Sequence, residues 1–195
     1  MNASPPRRSR RQLVLLAVIF FAPLALSFYL YYGHSGLQPG GRVNHGELVL
    51  PVRTLPQESL ARLGGGETGA GFLQQKWTFL YAAAGTCDSD SECRRRLYDT
   101  RQVRAALGRD MGRVQRVFIA PAGCCDSGFL ASEHPDLVTV PAAAATQLVA
   151  ALPHGAGDIY IVDPLGNLMM AYDAGAPPKG LLEDMKRLLK LSHIG

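Results

Sequence analysis

Four side chains in this 195-residue chain can do soft-metal or redox chemistry: Cys87, Cys93, Cys124 and Cys125. A thiolate attacks disulfides, and it is also the preferred ligand of soft metals. Cys87 and Cys93 stand in TCDSDSEC, a C-x5-C spacing, between an apolar run and an arginine-studded helical pattern. By spacing alone they can be a structural disulfide, a redox pair or two metal ligands. The C-x-x-C spacing of general thiol–disulfide oxidoreductases is absent. Cys124 and Cys125 are adjacent in APAGCCDSGF, where they can close a strained ring, bind a soft metal or pair with other thiols. Four cysteines allow three pairings, and the sequence does not choose among them.

The elements around these residues follow from patterning. Trp77–Ala83 is a short β-prone apolar run, suited to a strand buried on both faces, with Trp77 and Tyr81 as core residues. Ser91 to Leu107 is rich in helix formers and stops at Gly108. Val114–Ala120 and Leu137–Pro141 read as strands, and residues 142–152 as an alanine-rich helix. Ile159–Asp163 and Leu168–Tyr172 flank Pro164-Leu165-Gly166-Asn167, a hairpin turn in which Asp163 has a turn-initiating role. Met169 and Met170, adjacent on a strand, face opposite ways, so at least one is core. Leu181–Leu191 is an amphipathic helix. This order predicts an α/β protein of thioredoxin-like fold, a central mixed sheet flanked by helices. The usual active site of that fold is the loop after the first core strand, where Cys87 and Cys93 fall.

Upstream lies a different kind of segment. Arg7, Arg8, Arg10 and Arg11 precede an uncharged apolar run, Leu13 to Tyr32, close to the ~20 residues that cross a bilayer as a helix. It ends in Phe28, Tyr29, Tyr31 and Tyr32, aromatics suited to a membrane interface and unlike a signal-peptide cleavage site. The expected plan is a basic cytoplasmic tail (1–12), one transmembrane anchor (13–32), a glycine-rich linker (33–46) and a periplasmic domain (47–195). The arginine bias sets this orientation, and an exported domain permits disulfides. The formal charge of +4 equals the four arginines before the apolar run, and no acidic residue precedes Glu47. The exported part is thus balanced, which gives no electrostatic case for nucleic acid.

Several stretches together resemble the Sco/SenC family: NHGELVLPVRTLP (44–56), KWTFLYAAAGTC (76–87), LYDTRQVRAALGRDMGRVQRVFI (97–119) and IYIVDPLGNLMMAYDAG (159–175). The resemblance implies a thioredoxin-like, membrane-anchored protein of the inner membrane that takes part in copper-site assembly in cytochrome c oxidase. It implies a copper site of two cysteines and one histidine, falling on Cys87, Cys93 and His154. The family motif is usually C-x3-C, so this cysteine loop is two residues longer, and His154 stands about one residue further from its strand. Two thiolates and a neutral imidazole suit Cu(I), with Cu(II) as the second oxidation state. The helix after the loop favours a thiolate at its N-terminus, and Cys87 and Cys93 then also suit thiol–disulfide exchange. The implied partner is the oxidase's copper-binding subunit, which would receive copper or have its own copper-ligand cysteines reduced.

Other readings stay open at this stage. The chain can instead be a non-metal contact factor for an oxidase subunit, or a general periplasmic oxidoreductase. Arg94, Arg95 and Arg96 read as a solvated helix face. His34 and His45 lie in or beside the linker, His134 and His193 read as surface residues, and none is assigned to a site.

Overall fold

The structure is a computed structural model that describes residues 7–32, 43–87, 91–125, 127–192 and 194. Most of the expected linker, the middle of the TCDSDSEC loop, His34 and His193 lie outside the described residues. The chain divides into two units, residues 1–43 and 44–195.

The first unit contains α1 (Arg7–Tyr32), which begins within the arginine cluster and passes through Pro23. Its stretch Arg10–Leu30 is long and apolar enough to cross a membrane.

The second unit is a six-stranded mixed sheet with helices packed on it. Its strands are β1 (Glu47–Thr54), β2 (Trp77–Ala82), β3 (Val114–Ala120), β4 (Leu137–Pro141), β5 (Ile159–Val162) and β6 (Asn167–Tyr172), in the spatial order β1-β6-β5-β2-β3-β4. The β2, β3 and β4 strands are parallel, whereas β5, β6 and β1 add antiparallel. The helices are α2 (Glu92–Ala105), α3 (Ser127–Glu133), α4 (Thr146–Ala151) and α5 (Pro178–Leu191), with a 3-10 turn at Gly108–Arg113. This is the thioredoxin-like architecture expected from the order of elements.

Successive residues of a strand point to opposite faces, and β2 distributes its side chains accordingly. Trp77, Phe79 and Tyr81 join the core layer beneath α2 and α5, with Leu97, Phe118, Ile161, Met185 and Leu189. Leu80 and Ala82 join the other layer, with Val117, Ile119, Tyr160, Val162 and Leu148 of α4. Every β2 residue is buried, because the strand is central in the sheet and covered on both sides. Met170 is buried, and Met169 packs partly buried at the edge of the first layer.

Three local features differ from the sequence reading. Residues 142–144 are turn and Ala145 is the N-cap of α4, because Ala142 N–H donates to Ala120 O (2.8 Å) and so continues the β4–β3 ladder. The β1 strand has no clear alternation: only Val49 is buried, and Pro51 sits within it. As an edge strand it tolerates a residue without an N–H, and its register shifts between Leu48 and Arg53. The α3 helix is too short to carry a helical period and lies in a stretch to which the pattern assigns no element.

His134 is also buried, not a surface residue. It lies 3.3 Å from the fully buried Arg116 guanidinium, whose Nη1 meets Asp136 Oδ1 at 3.1 Å and whose Nη2 donates to Leu97 O. Burial, reinforced by Arg116 and Arg101, lowers the His134 pKa to about 4 against the opposing pull of Asp136 and Glu133. Burial likewise brings Arg116 down to about 10, with Asp136 opposing. The ring is therefore neutral at neutral pH, and it packs edge-on against Phe129.

Candidate thiol and metal site

The site forms at the edge of the sheet where β2 and β3 end. These strands are parallel and paired through Ala82↔Ile119, so the loops that leave them emerge side by side. The first carries Cys87 and runs into α2. Ser91 caps that helix, its side chain accepting from Arg94 N–H at 3.3 Å, and Cys93 falls in the first turn. Cys87 and Cys93 are both buried in the core layer under α2, and they form a disulfide with their Cα atoms 5.0 Å apart. The loop after β3 turns through Gly123, in the left-handed region at φ 71°, and Cys124 N–H donates to Pro121 O at 3.1 Å. Cys124 and Cys125 are disulfide-bonded to each other, partly buried against the same layer, with Cys125 at φ 75°.

The sulfur atoms of Cys87, Cys93 and Cys124 all lie within 4.8 Å of one another. The doublet is thus not a separate site but a neighbour of the first pair. The sequence held one usable signal: each cysteine pair follows a strand that the patterning marks. No motif marked the doublet beyond that.

The arginines after Cys93 do not form one solvated face. Arg95 is exposed and near Glu92. Arg94 turns back, its Nε–H donating to Cys87 O at 3.2 Å while its guanidinium lies 3.9 Å above the Phe129 ring. Arg96 is buried, donating to the carbonyl oxygens of Ala176 and Asp173 and so tying α2 to the loop before α5. Tyr81, near the same edge, is pushed up to about 12, chiefly by burial and further by Glu92, against Arg96 and Arg95. It is neutral, shares the buried layer with Cys87 and Cys93, and stacks on Phe118 at 5.7 Å.

His154 lies in the loop leading into β5, at the same edge of the sheet. That loop touches the end of β2, since Gly157 N–H donates to Ala82 O at 2.7 Å. The imidazole is half-exposed. Its Nδ1 is 2.7 Å from Asp158 Oδ2, and its Nε2 is 3.6 Å from Glu47 Oε2. Among the described residues, His154 is not a member of the group formed by the three sulfurs.

Reduced, the three sulfurs are a donor set of the kind that holds a soft monovalent metal such as Cu(I). The helix N-terminus at Cys93 adds the positive end of a dipole that favours a thiolate over a thiol. Oxidised as in this structure, these three sulfurs and that of Cys125 make two disulfides and hold no thiolate.

Cysteine chemistry placed at the end of a central strand of a mixed, helix-flanked sheet defines a thioredoxin-like protein. A family model described as "Transmembrane-like, thioredoxin-like, C-terminal domain" matches residues 77–192, and the chain belongs to that family. No curated protein matches it by sequence. Its structural neighbours are Sco1/SenC proteins. Apo Sco1 from Thermus thermophilus is 15% identical, with TM-score 0.59 over 76% of this chain and 99% of that one. Copper-bound ScoI from Bradyrhizobium japonicum is 20% identical, with TM-score 0.53 over 69% and 99%. BsSco, described as a member of the Sco family of cytochrome c oxidase assembly proteins and as having a disulfide switch, is 13% identical, with TM-score 0.51 over 75% and 99%. At these identities the likeness is one of fold.

Proposed function

We propose that this chain is a membrane-anchored, periplasmic Sco-like assembly factor for cytochrome c oxidase. In this reading it carries copper to the oxidase's copper-binding subunit, reduces that subunit's copper-ligand cysteines, or does both in sequence. The observation that carries the proposal is the Cys87–Cys93 pair, buried at the end of β2 with a third sulfur beside it. A pair serving only as a loop brace would not need that sulfur or the α2 N-terminus at Cys93.

Copper is cargo here. Cys87 and Cys93 supply the soft thiolates, and His154 supplies the imidazole of the implied ligand set. Asp158 supports that role, because a carboxylate on one ring nitrogen fixes the tautomer and ring orientation, and binding a metal would require Nε2 to exchange its Glu47 neighbour for the ion. Loading first requires the disulfide to take up two electrons and two protons. The arginine-flanked apolar helix supports an inner-membrane anchor with the second unit on the periplasmic side.

The test is an anaerobic Cu(I) titration of the reduced full-length protein in detergent, compared with Cys87→Ser, Cys93→Ser and His154→Ala. Loss of stoichiometric binding in both cysteine variants is the expected result. Copper-free protein in the titration, with normal oxidase activity in cells carrying both serine changes, would sink the reading.

A further inference from the structure

The two disulfides differ in access. Cys87 and Cys93 are 5% and 4% exposed, whereas Cys124 and Cys125 are only partly buried. A reductant approaching from outside therefore meets the doublet first. The buried pair, although walled in, has the Cys124 sulfur within 4.8 Å of both of its own sulfurs. Arg94 holds the two loops together, bonded to one at Cys87 O and lying over Phe129 just beyond the other.

We propose that Cys124 and Cys125 form a disulfide relay that takes reducing equivalents from an external dithiol and passes them to Cys87–Cys93. This deepens the function proposed above, since it rests on Cys87 and Cys93 working as a dithiol. In the first step an external dithiol reduces the Cys124–Cys125 bond and leaves as a disulfide, giving two thiols at the doublet. The Cys124 thiolate then attacks Cys87 or Cys93. The buried S–S bond breaks, a mixed disulfide to Cys124 forms, and the other buried sulfur leaves as a thiolate. The Cys125 thiolate next attacks the Cys124 sulfur, restoring the Cys124–Cys125 bond and releasing the second buried thiolate. Two electrons and two protons have then moved from the external dithiol to the buried pair, and the doublet is unchanged.

Roles follow from position. Cys124 is the attacking residue because its sulfur lies in the three-sulfur group. Cys125 is the resolving residue because it is bonded to Cys124. The adjacency of the doublet is itself functional: a resolving thiol on the next residue has a high effective concentration at the mixed disulfide.

The relay is tested without copper or oxidase, so its failure is distinguishable from failure of the chaperone reading. Cys125→Ser removes the resolving thiol. The full-length variant in detergent, its Cys124 without the Cys125 partner, is blocked with an alkylating reagent and digested with trypsin without reduction. Expected is a disulfide joining peptide 77–94 to peptide 117–179, with one buried cysteine alkylated. An intact Cys87–Cys93 disulfide beside alkylated Cys124 would overturn the relay. In Cys93→Ser the resolving thiol is present, so Cys87 is expected free beside an intact Cys124–Cys125 doublet; a Cys87–Cys124 bond that persists there would overturn the resolving role of Cys125. As a kinetic measure, Cys124→Ser/Cys125→Ser is expected to slow reduction of Cys87–Cys93 by a small dithiol roughly tenfold or more, because exchange depends on access to the attacked sulfur. Equal rates in this variant and the parent chain, with circular dichroism showing both folded, would refute the proposal.

Discussion

Arg94 donates its Nε–H to the carbonyl oxygen of Cys87 across 3.2 Å, closing the cysteine loop onto the first turn of the helix that follows it. The same guanidinium lies over Phe129 of α3, so one side chain joins the Cys87 loop to the helix that follows the Cys124–Cys125 doublet. Removing it loosens the frame of the site without touching a sulfur. Arg94→Ala is expected to lower stability by about 1–2 kcal/mol, the combined size of one hydrogen bond and one cation–π contact. After reduction, alkylation of Cys87 and Cys93 is expected to be faster than in the parent chain. Denaturant midpoints and timed mass spectrometry check both.

The His134 ring gives stability a pH dependence with a definite sign. Its folded pKa, about 4, lies below the ordinary 6.5. Between those values the unfolded chain takes up a proton that the folded chain refuses, so stability is lost as pH falls through 6.5 towards 4. The linkage corresponds to about 2 kcal/mol between roughly pH 7.5 and pH 5. His134→Gln is expected to remove most of that difference, as measured by urea unfolding at the two pH values. Asp136 and Glu133 face the same ring and oppose the shift.

Asp136 balances a guanidinium that is itself fully buried, and it also receives Arg104 Nη1 at 3.1 Å. Asp136→Ala leaves Arg116 without its carboxylate, although Leu97 O and Thr100 still accept from it. A loss of about 2–3 kcal/mol is expected, typical of hydrogen bonds to charged groups. Asp136→Asn, which keeps an acceptor, is expected to lose less. Thermal melts of the two variants distinguish charge from simple hydrogen bonding.

Asp184 on α5 pins the entry of the chain into the second unit. Its Oδ2 accepts from His45 N–H at 2.7 Å, Gly46 N–H at 3.0 Å and Tyr172 O–H at 2.8 Å. Burial, aided by the Asp184 carboxylate, raises the Tyr172 pKa well above the ordinary phenol value, so the hydroxyl stays a donor. Tyr172→Phe is expected to cost about 1–2 kcal/mol and Asp184→Ala about 3 kcal/mol or more, since the latter also strands two backbone donors. Chemical denaturation gives both numbers. Hydrogen exchange at His45 and Gly46 is expected to quicken only in the Asp184 variant.

Much of the scaffold is legible in the sequence because local chemistry specifies it. Val114–Ala120 and Leu137–Pro141 run over the expected residues, and β2, β5 and β6 end within a residue of expectation. Buried parallel and hairpin strands are short apolar runs bounded by glycine and proline, so pattern alone marks them. The edge strand β1 escaped because only one of its residues is buried, and α3 because it is too short to show a period. The apolar α1 helix needs no tertiary context, since its length and uncharged composition suffice.

What sequence order cannot carry is the meeting of distant side chains. The pattern identified the cysteine loop at the end of the first core strand, and with it the class of chemistry open to Cys87 and Cys93. The parallel pairing of β2 with β3 decided that Cys124, more than thirty residues away, would be the third sulfur. The packing of α2 sorted three consecutive arginines into one exposed, one folded over the site and one buried. Side-chain types and strand periods are local properties, written along the chain. Which loop lies against which is set by sheet register and by burial of the layers beneath, and only the folded chain contains those.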